Sequence, residues 1–210
     1  MITEYENEPI PGLPGLLPRG ERILWQGRPD WRVLARTAFH TGAVALYFAV
    51  LTLWAAIAGT PQGAVMTAIA GMLGVGLLYL LAWQCARTTY YTLTNKRIVL
   101  RIGMALPKCI NLPLGAIGAV DLRARARNTG DLIIKLTGRQ RLGYAALWPH
   151  ARAWHYATPQ PMLRAVPDVA KAGALIARTI QAAQGAGIVT RADMPEGKLQ
   201  PINGGKAVAA

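Results

Sequence analysis

Hydrophobic and polar positions divide this chain unevenly. From Thr37 to Ala86 it runs for fifty positions without an Asp, Glu, Lys or Arg, with Arg36 before and Arg87 after. A helix needs about 20 apolar residues to cross the hydrocarbon core of a bilayer, so the run has room for two crossings. The first is predicted over Thr37–Ala58, which at about 1.5 Å per residue gives roughly 33 Å. Gly59-Thr60-Pro61-Gln62-Gly63 then interrupts the helix, because Pro and Gly continue one only at a cost. The second is predicted over Ala64–Cys85. Trp54, Tyr79 and Trp83 fall near the expected interfaces, where amphipathic rings prefer to sit. The alternative is a buried hairpin in a soluble domain, but soluble helices normally carry a polar face.

After Arg87 the period changes to two. Thr89–Leu93 reads as a strand by its aromatic and β-branched content, Thr94-Asn95-Lys96 as a turn, and Arg97–Ile102 as the partner strand ended by Gly103. Further strands are expected at Lys108–Leu112, Ala119–Ala126, Asp131–Thr137 and Gln140–Tyr144, with turns marked by Gly130 and Gly138-Arg139. Short strands at this density imply an antiparallel sheet or small barrel. One helix closes it: Pro167-Asp168 is a start signal, Val169, Ala172, Gly173, Ile176 and Ile180 share one helical face, and Gly185 and Gly187 stop it. The expected fold is a membrane α-helical hairpin plus an α+β domain. Four segments follow: a cytoplasmic N-terminal segment with a short strand (1–36), the two-helix transmembrane hairpin (37–86), a sheet domain (87–187) and a disordered tail (188–210).

Charge sharpens this. The net charge is +13, and it is uneven. Residues 1–36 carry five basic and five acidic side chains, residues 87–166 thirteen and two, and residues 167–210 five and three. Basic residues flank the apolar run on both sides and its central turn has none, so the positive-inside rule places both termini in the cytoplasm. A basic block beside a membrane points to phospholipid headgroups or acidic protein surface as partners. No nucleic-acid motif is present.

The candidate contact residues follow from these patterns. Arg123, Arg125 and Arg127 alternate with Leu122, Ala124 and Ala126, so in one strand the three arginines would share a face. That face meets either anionic headgroups or only solvent. Trp25 and Trp31 are further candidates for partner or lipid contact, Trp25 equally for the core. Ala64, Ala68, Gly71 and Gly74 recur in the second crossing, and small residues let another helix approach closely. The partner is the first crossing, a second copy or a client protein. His40, at the cytoplasmic end of the first crossing, is either a pigment-metal ligand or an interfacial hydrogen-bonding residue.

Little else suggests chemistry. His150 and His155 are five apart, off a common helical face, and Cys85 and Cys109 lack metal or redox spacing. Phosphate loops, zinc motifs and nucleophile elbows are absent. Only Asp121 and Asp131 lie in the sheet region. No enzyme and no cofactor is expected.

Tyr90-Tyr91-Thr92-Leu93-Thr94-Asn95-Lys96-Arg97-Ile98 resembles the signature hairpin of bacterial pleckstrin-homology-like membrane proteins. Ile110-Asn111-Leu112-Pro113-Leu114, Thr129-Gly130-Asp131-Leu132 and the upstream Leu17–Pro29 resemble its other landmarks. Glu8–Pro14, Ile23–Gly27, Ala38-Phe39-His40 and Pro159–Pro167, in that order, are similar to the PuhB family of photosynthetic-complex assembly proteins of purple bacteria. The resemblance covers residues 8–185. It implies a PH-like domain and a non-enzymatic factor that assists reaction-centre assembly in the inner, photosynthetic membrane, with reaction-centre subunits as partners. It carries over no catalytic or ligand residues. The other possibility is a general PH-like membrane protein that binds lipid or peptide.

Overall fold

The computed structural model describes residues 10–104, 108–138, 143–184 and 188–190. Two four-stranded sheets enclose one core. The first joins β1 (Ile23–Gly27), β2 (Tyr90–Thr94), β3 (Arg97–Ile102) and β4 (Lys108–Pro113) in sequence order, all antiparallel. The second joins β5 (Ile117–Ala124), β6 (Thr129–Leu136), β7 (Met162–Pro167) and β8 (Ile188–Thr190) in the order β7-β6-β5-β8. The strand predicted in the N-terminal segment is therefore β1, and it belongs to the body beyond the apolar run. Between β1 and β2 the chain inserts α1 (Trp31–Thr37), α2 (Thr41–Ile57) and α3 (Pro61–Thr88).

The core explains the period-two pattern. Tyr91 and Leu93 of β2, Ile98 and Leu100 of β3, Val120 of β5, Leu132 and Ile134 of β6, and Leu163 and Val166 of β7 point inward and are buried. The closing helix, α5 (Val169–Gln184), follows α4 (Tyr144–Leu147) in chain order and buries the face formed by Val169, Ala172, Gly173, Ile176 and Ile180 against that core. Gly173 sits where a Cβ would come within 2.9 Å of Leu122 Cδ1, so the helix rides close on β5.

The β2–β3 turn is locked by side chains. Thr94 Oγ1 accepts from the Lys96 and Arg97 amides at 3.2 and 3.0 Å. Asn95 accepts from the Arg22 amide at 2.9 Å and donates to the Gly20 carbonyl at 2.9 Å. Buried Glu21 receives Arg97 bidentately, at 2.9 and 3.0 Å, and the Thr94 hydroxyl at 2.8 Å. The Gly20-Glu21-Arg22 and Thr94-Asn95-Lys96-Arg97 landmarks are thus two halves of one contact.

Several expectations change. The first apolar segment is not one helix over Thr37–Ala58: α1 ends at Thr37, α2 starts at Thr41, and the two are bent by 58°. His40, between them, is left-handed at φ 51°. The Thr37 carbonyl, which would accept from residue 41 in a continuous helix, instead accepts from Arg164 Nη1 at 3.3 Å. The break lets α1 bury Val33, Leu34 and Ala35 against the end of α3 and β7, while α2 packs along the rest of α3. In the expected strand Gln140–Tyr144, residues 140–142 lie outside the described residues and Tyr144 opens α4. The predicted tail begins with a strand: Ile188–Thr190 pairs in parallel with Ala119–Asp121 of β5, occupying a sheet edge. Residues 191–210 lie outside the described residues.

Candidate functional site: a hairpin fixed to a basic body

α2 and α3 pack through small residues. Thr52 and Thr67 hydroxyls lie 3.2 Å apart. A Cβ on Gly71 would sit 2.7 Å from Phe48 Cβ, and one on Gly74 3.9 Å from Phe48 Cε2. Ala64 and Ala68 are half-buried on the same helix. Of the three partners open to this stripe, the first apolar segment occupies it. Beside the contact runs an apolar groove of about 800 Å³, lined among others by Ala45, Ala49, Ala56, Ala68 and Val75.

Among the described residues, none covers the outward faces. Leu46, Leu53, Trp54 and Ile57 on α2 and Met66, Met72, Leu73 and Leu77 on α3 are exposed, far more apolar surface than a soluble monomer leaves open. α3 is long and apolar enough to cross a membrane, with only 6% of its most apolar stretch buried in the protein. The core helix of a soluble protein would be mostly buried, and α3 is not. The α1–α2 pair reaches the same length and composition only as a bent unit.

The hairpin is tied to the body without slack. Three residues separate β1 from α1, and α3 reaches β2 through Thr89 alone. Asp30 caps α1, accepting from the Arg32 amide at 2.8 Å, and its own N–H donates to the Ala165 carbonyl at 2.8 Å. At the other end of α1 lies a buried polar junction. His150 Nδ1 is 2.9 Å from the Tyr91 hydroxyl, and its Nε2 is 3.2 Å from Thr89 Oγ1 and 3.7 Å from Cys85 Sγ. Arg164 reaches both the Thr37 carbonyl and, at 3.0 Å, that of Ala151. Burial, reinforced by the Arg164 charge, pushes His150 down to about 3, so it is neutral at physiological pH. The junction holds helix ends, sheet and loop in one hydrogen-bonded unit. Its position between covered elements suits a brace.

A second feature lies at the far end of β7. Trp25, Arg28, Asp168, Lys171 and Leu175 line a groove of about 390 Å³ between β1 and α5. Trp25 is half-buried, packs on the core, and lays its ring so close to Gly27 that a Cβ there would fall 2.4 Å away. It fills the core and lines a surface at once. Trp31 is elsewhere, edge-on to Tyr79 at 6.3 Å at the hairpin base.

The arginine stripe is not one strand face. β5 ends at Ala124. Arg123 is exposed on it, Arg125 turns back to pair with buried Asp131 at 2.8 Å, and Arg127 is left-handed in the β5–β6 turn at φ 62°. Asn128 of that turn donates to Asp168, a groove residue. The turn and the Trp25 groove therefore share one corner of the body, where Thr129 pairs with Pro167. His40 is exposed at the α1–α2 break, and no group of His, Cys, Asp or Glu that could hold a metal occurs among the described residues.

Sequence reasoning missed Arg28 and Lys171 as groove residues and His150 as a junction residue. The groove walls are some 140 positions apart in the chain, and no local pattern links them.

A family model described as Bacterial PH domain matches residues 33–184. The chain belongs to the bacterial PH domain family. The match includes the hairpin, so in this bacterial PH domain protein the apolar insertion is continuous with the matched region. It is 37% identical over 189 residues to an uncharacterised 23.7 kDa protein of the puhA 5' region of Rhodobacter capsulatus, covering 85% of this chain and 88% of the relative. No solved structure matches this bacterial PH domain protein.

Proposed function

We propose that this protein is a non-enzymatic membrane factor that assists assembly of the photosynthetic reaction centre. The hairpin crosses the bilayer twice and leaves both termini in the cytoplasm. The observation that carries the membrane part is the bare apolar surface of α2 and α3, mounted without slack on a basic body. Lipid is the solvent that accepts such a surface, and basic flanks hold the body on the cytoplasmic side. Two supports connect it to photosynthesis: the sequence similarity to the PuhB family, and a relative named for a photosynthesis-gene neighbourhood.

The route is recognition at two places. The groove beside the α2–α3 contact meets client helices within the membrane. The Trp25 groove and the Arg123–Arg127 corner meet client cytoplasmic surface. A second reading, a general lipid- or peptide-binding PH-like membrane protein, is favoured by the same Trp25 groove, with Arg28 and Lys171 as cations on its rim. Deleting the gene in its host and recording near-infrared absorption of the membranes separates the two. Loss of reaction-centre bands supports the assembly role. Normal bands in a strain without a second copy reject it and leave the general reading.

A further inference from the structure

The loop between α4 and β7 carries three large aromatic side chains that little in the protein covers. Trp148 is 50% exposed, Tyr156 61% and Trp154 84%. Trp154 meets the edge of Tyr156 at 6.4 Å, and Tyr156 in turn stacks at a tilt on Tyr144 at 4.6 Å. Trp154 also has a left-handed backbone, φ 64°, uncommon for a bulky residue. A costly backbone that holds a ring in the open points to a surface in use.

Three contacts fix where this loop lies. At the start of α1, Asp30 meets the Ala165 carbonyl; at its end, Thr37 meets the Arg164 side chain. Beyond it, Phe39 meets Trp148 edge-on at 5.6 Å. β7 read backwards therefore runs beside α1 toward the hairpin. The ladder continues through Met162 N–H to the His150 carbonyl at 2.8 Å and Arg152 N–H to the Gln160 carbonyl at 3.0 Å. From Arg164 back to Gln160 is about 13 Å at about 3.3 Å per residue, whereas α1 is about 10 Å long. The tip, residues 153–159, thus reaches or passes the level at which α2 begins. From residue 144 to 163 there is no Asp or Glu.

We propose that this tip is an interfacial anchor, with Trp154 and Tyr156 lying in the headgroup layer of the leaflet from which the hairpin enters. Its partner is the lipid surface. Tryptophan and tyrosine prefer that layer, where the ring is apolar on one side and wet on the other. The hairpin and the tip hold the body at two points, which fixes its tilt on the bilayer. This rests on the membrane reading of the hairpin.

The test uses the full chain in phosphatidylcholine–phosphatidylglycerol vesicles. A polarity-sensitive fluorophore is placed by Leu73→Cys on the outer face of α3, by Trp154→Cys at the tip, or by Arg127→Cys at the far corner. Cys109→Ser is the background, and buried Cys85 stays unlabelled. Positions 73 and 154 are expected to emit blue-shifted and to be quenched by a lipid-borne quencher, and position 127 by aqueous iodide. Position 73 in lipid with 154 as wet as 127 overturns the anchor and leaves the hairpin reading standing. Position 73 in water overturns both. The native ring is checked by Trp154→Phe in unlabelled protein: the iodide-quenchable share of tryptophan emission rises if the ring is in lipid, because an unquenched emitter is lost, and falls if it is in water, which also overturns the anchor.

Discussion

Glu21 and Arg97 are 76 positions apart, with the whole hairpin between them, yet their side chains form a bidentate ion pair at 2.9 and 3.0 Å. The pair staples the segment before the apolar insertion to the strand after it. Burial opposes ionisation of Glu21, but hydrogen bonds from Arg97 and Thr94 and the Arg97 charge outweigh it and hold the carboxyl below its ordinary value. A depressed folded value contributes stability above the unfolded value, near about 4.3, and loses it as pH falls through the folded one. Glu21→Gln is expected to cost about 2 kcal/mol at pH 7 and to flatten the loss of stability below pH ~4.3. Thermal unfolding in detergent micelles across pH 3 to 7 checks both.

His150 gives a second pH signature in a different window. It is buried neutral, with a folded value of about 3 against about 6.5 unfolded. The unfolded chain therefore binds more protons between those values, and stability falls as pH drops through that window. His150→Leu should cost about 2 kcal/mol at pH 7.5, because the Tyr91 and Thr89 hydroxyls lose a partner. It should also remove the slope between pH 6.5 and 4. An unchanged slope would contradict the junction.

Gly71 and Gly76 lie on the same helix, but only Gly71 faces Phe48. A Cβ on Gly71 would fall 2.7 Å from Phe48 Cβ, whereas one on Gly76 meets nothing within 4 Å. Gly71→Val is expected to destabilise the hairpin by about 1–3 kcal/mol through overpacking. Gly76→Ala should be neutral or slightly stabilising, by restricting the unfolded chain. Melting temperatures of the two variants in micelles decide it.

What the sequence revealed divides by range. The stripe Val169, Ala172, Gly173, Ile176 and Ile180 is a local pattern, and all five residues are buried as it requires. The β2–β3 hairpin was legible from its strand pattern and the local Thr94 hydroxyl bonds to the Lys96 and Arg97 amides, although Gly20, Glu21 and Arg22 also lock its turn. The break at His40 was not legible, since the Thr37 carbonyl it frees is met by Arg164, 127 positions further along the chain. The turn expected at Gly130 falls earlier, and this splits the arginine stripe. Gly130 lies within β6, where a Cβ would strike the Arg123 carbonyl at 2.7 Å and Val169 at 2.7 Å. It is there for close packing, and the turn falls earlier, at Arg127-Asn128. The Trp25 groove needs both sheet and closing helix, so no single stretch announces it.

A membrane role requires the uncharged segment to enter lipid and come back. Membranes carrying a full chain with a tag at each end are washed at alkaline pH, sealed in both orientations and treated with an impermeant labelling reagent. The polypeptide should stay in the pellet, with both tags reached only when the cytoplasmic face is outward. Release into the supernatant, or tags reached from opposite faces, would contradict it.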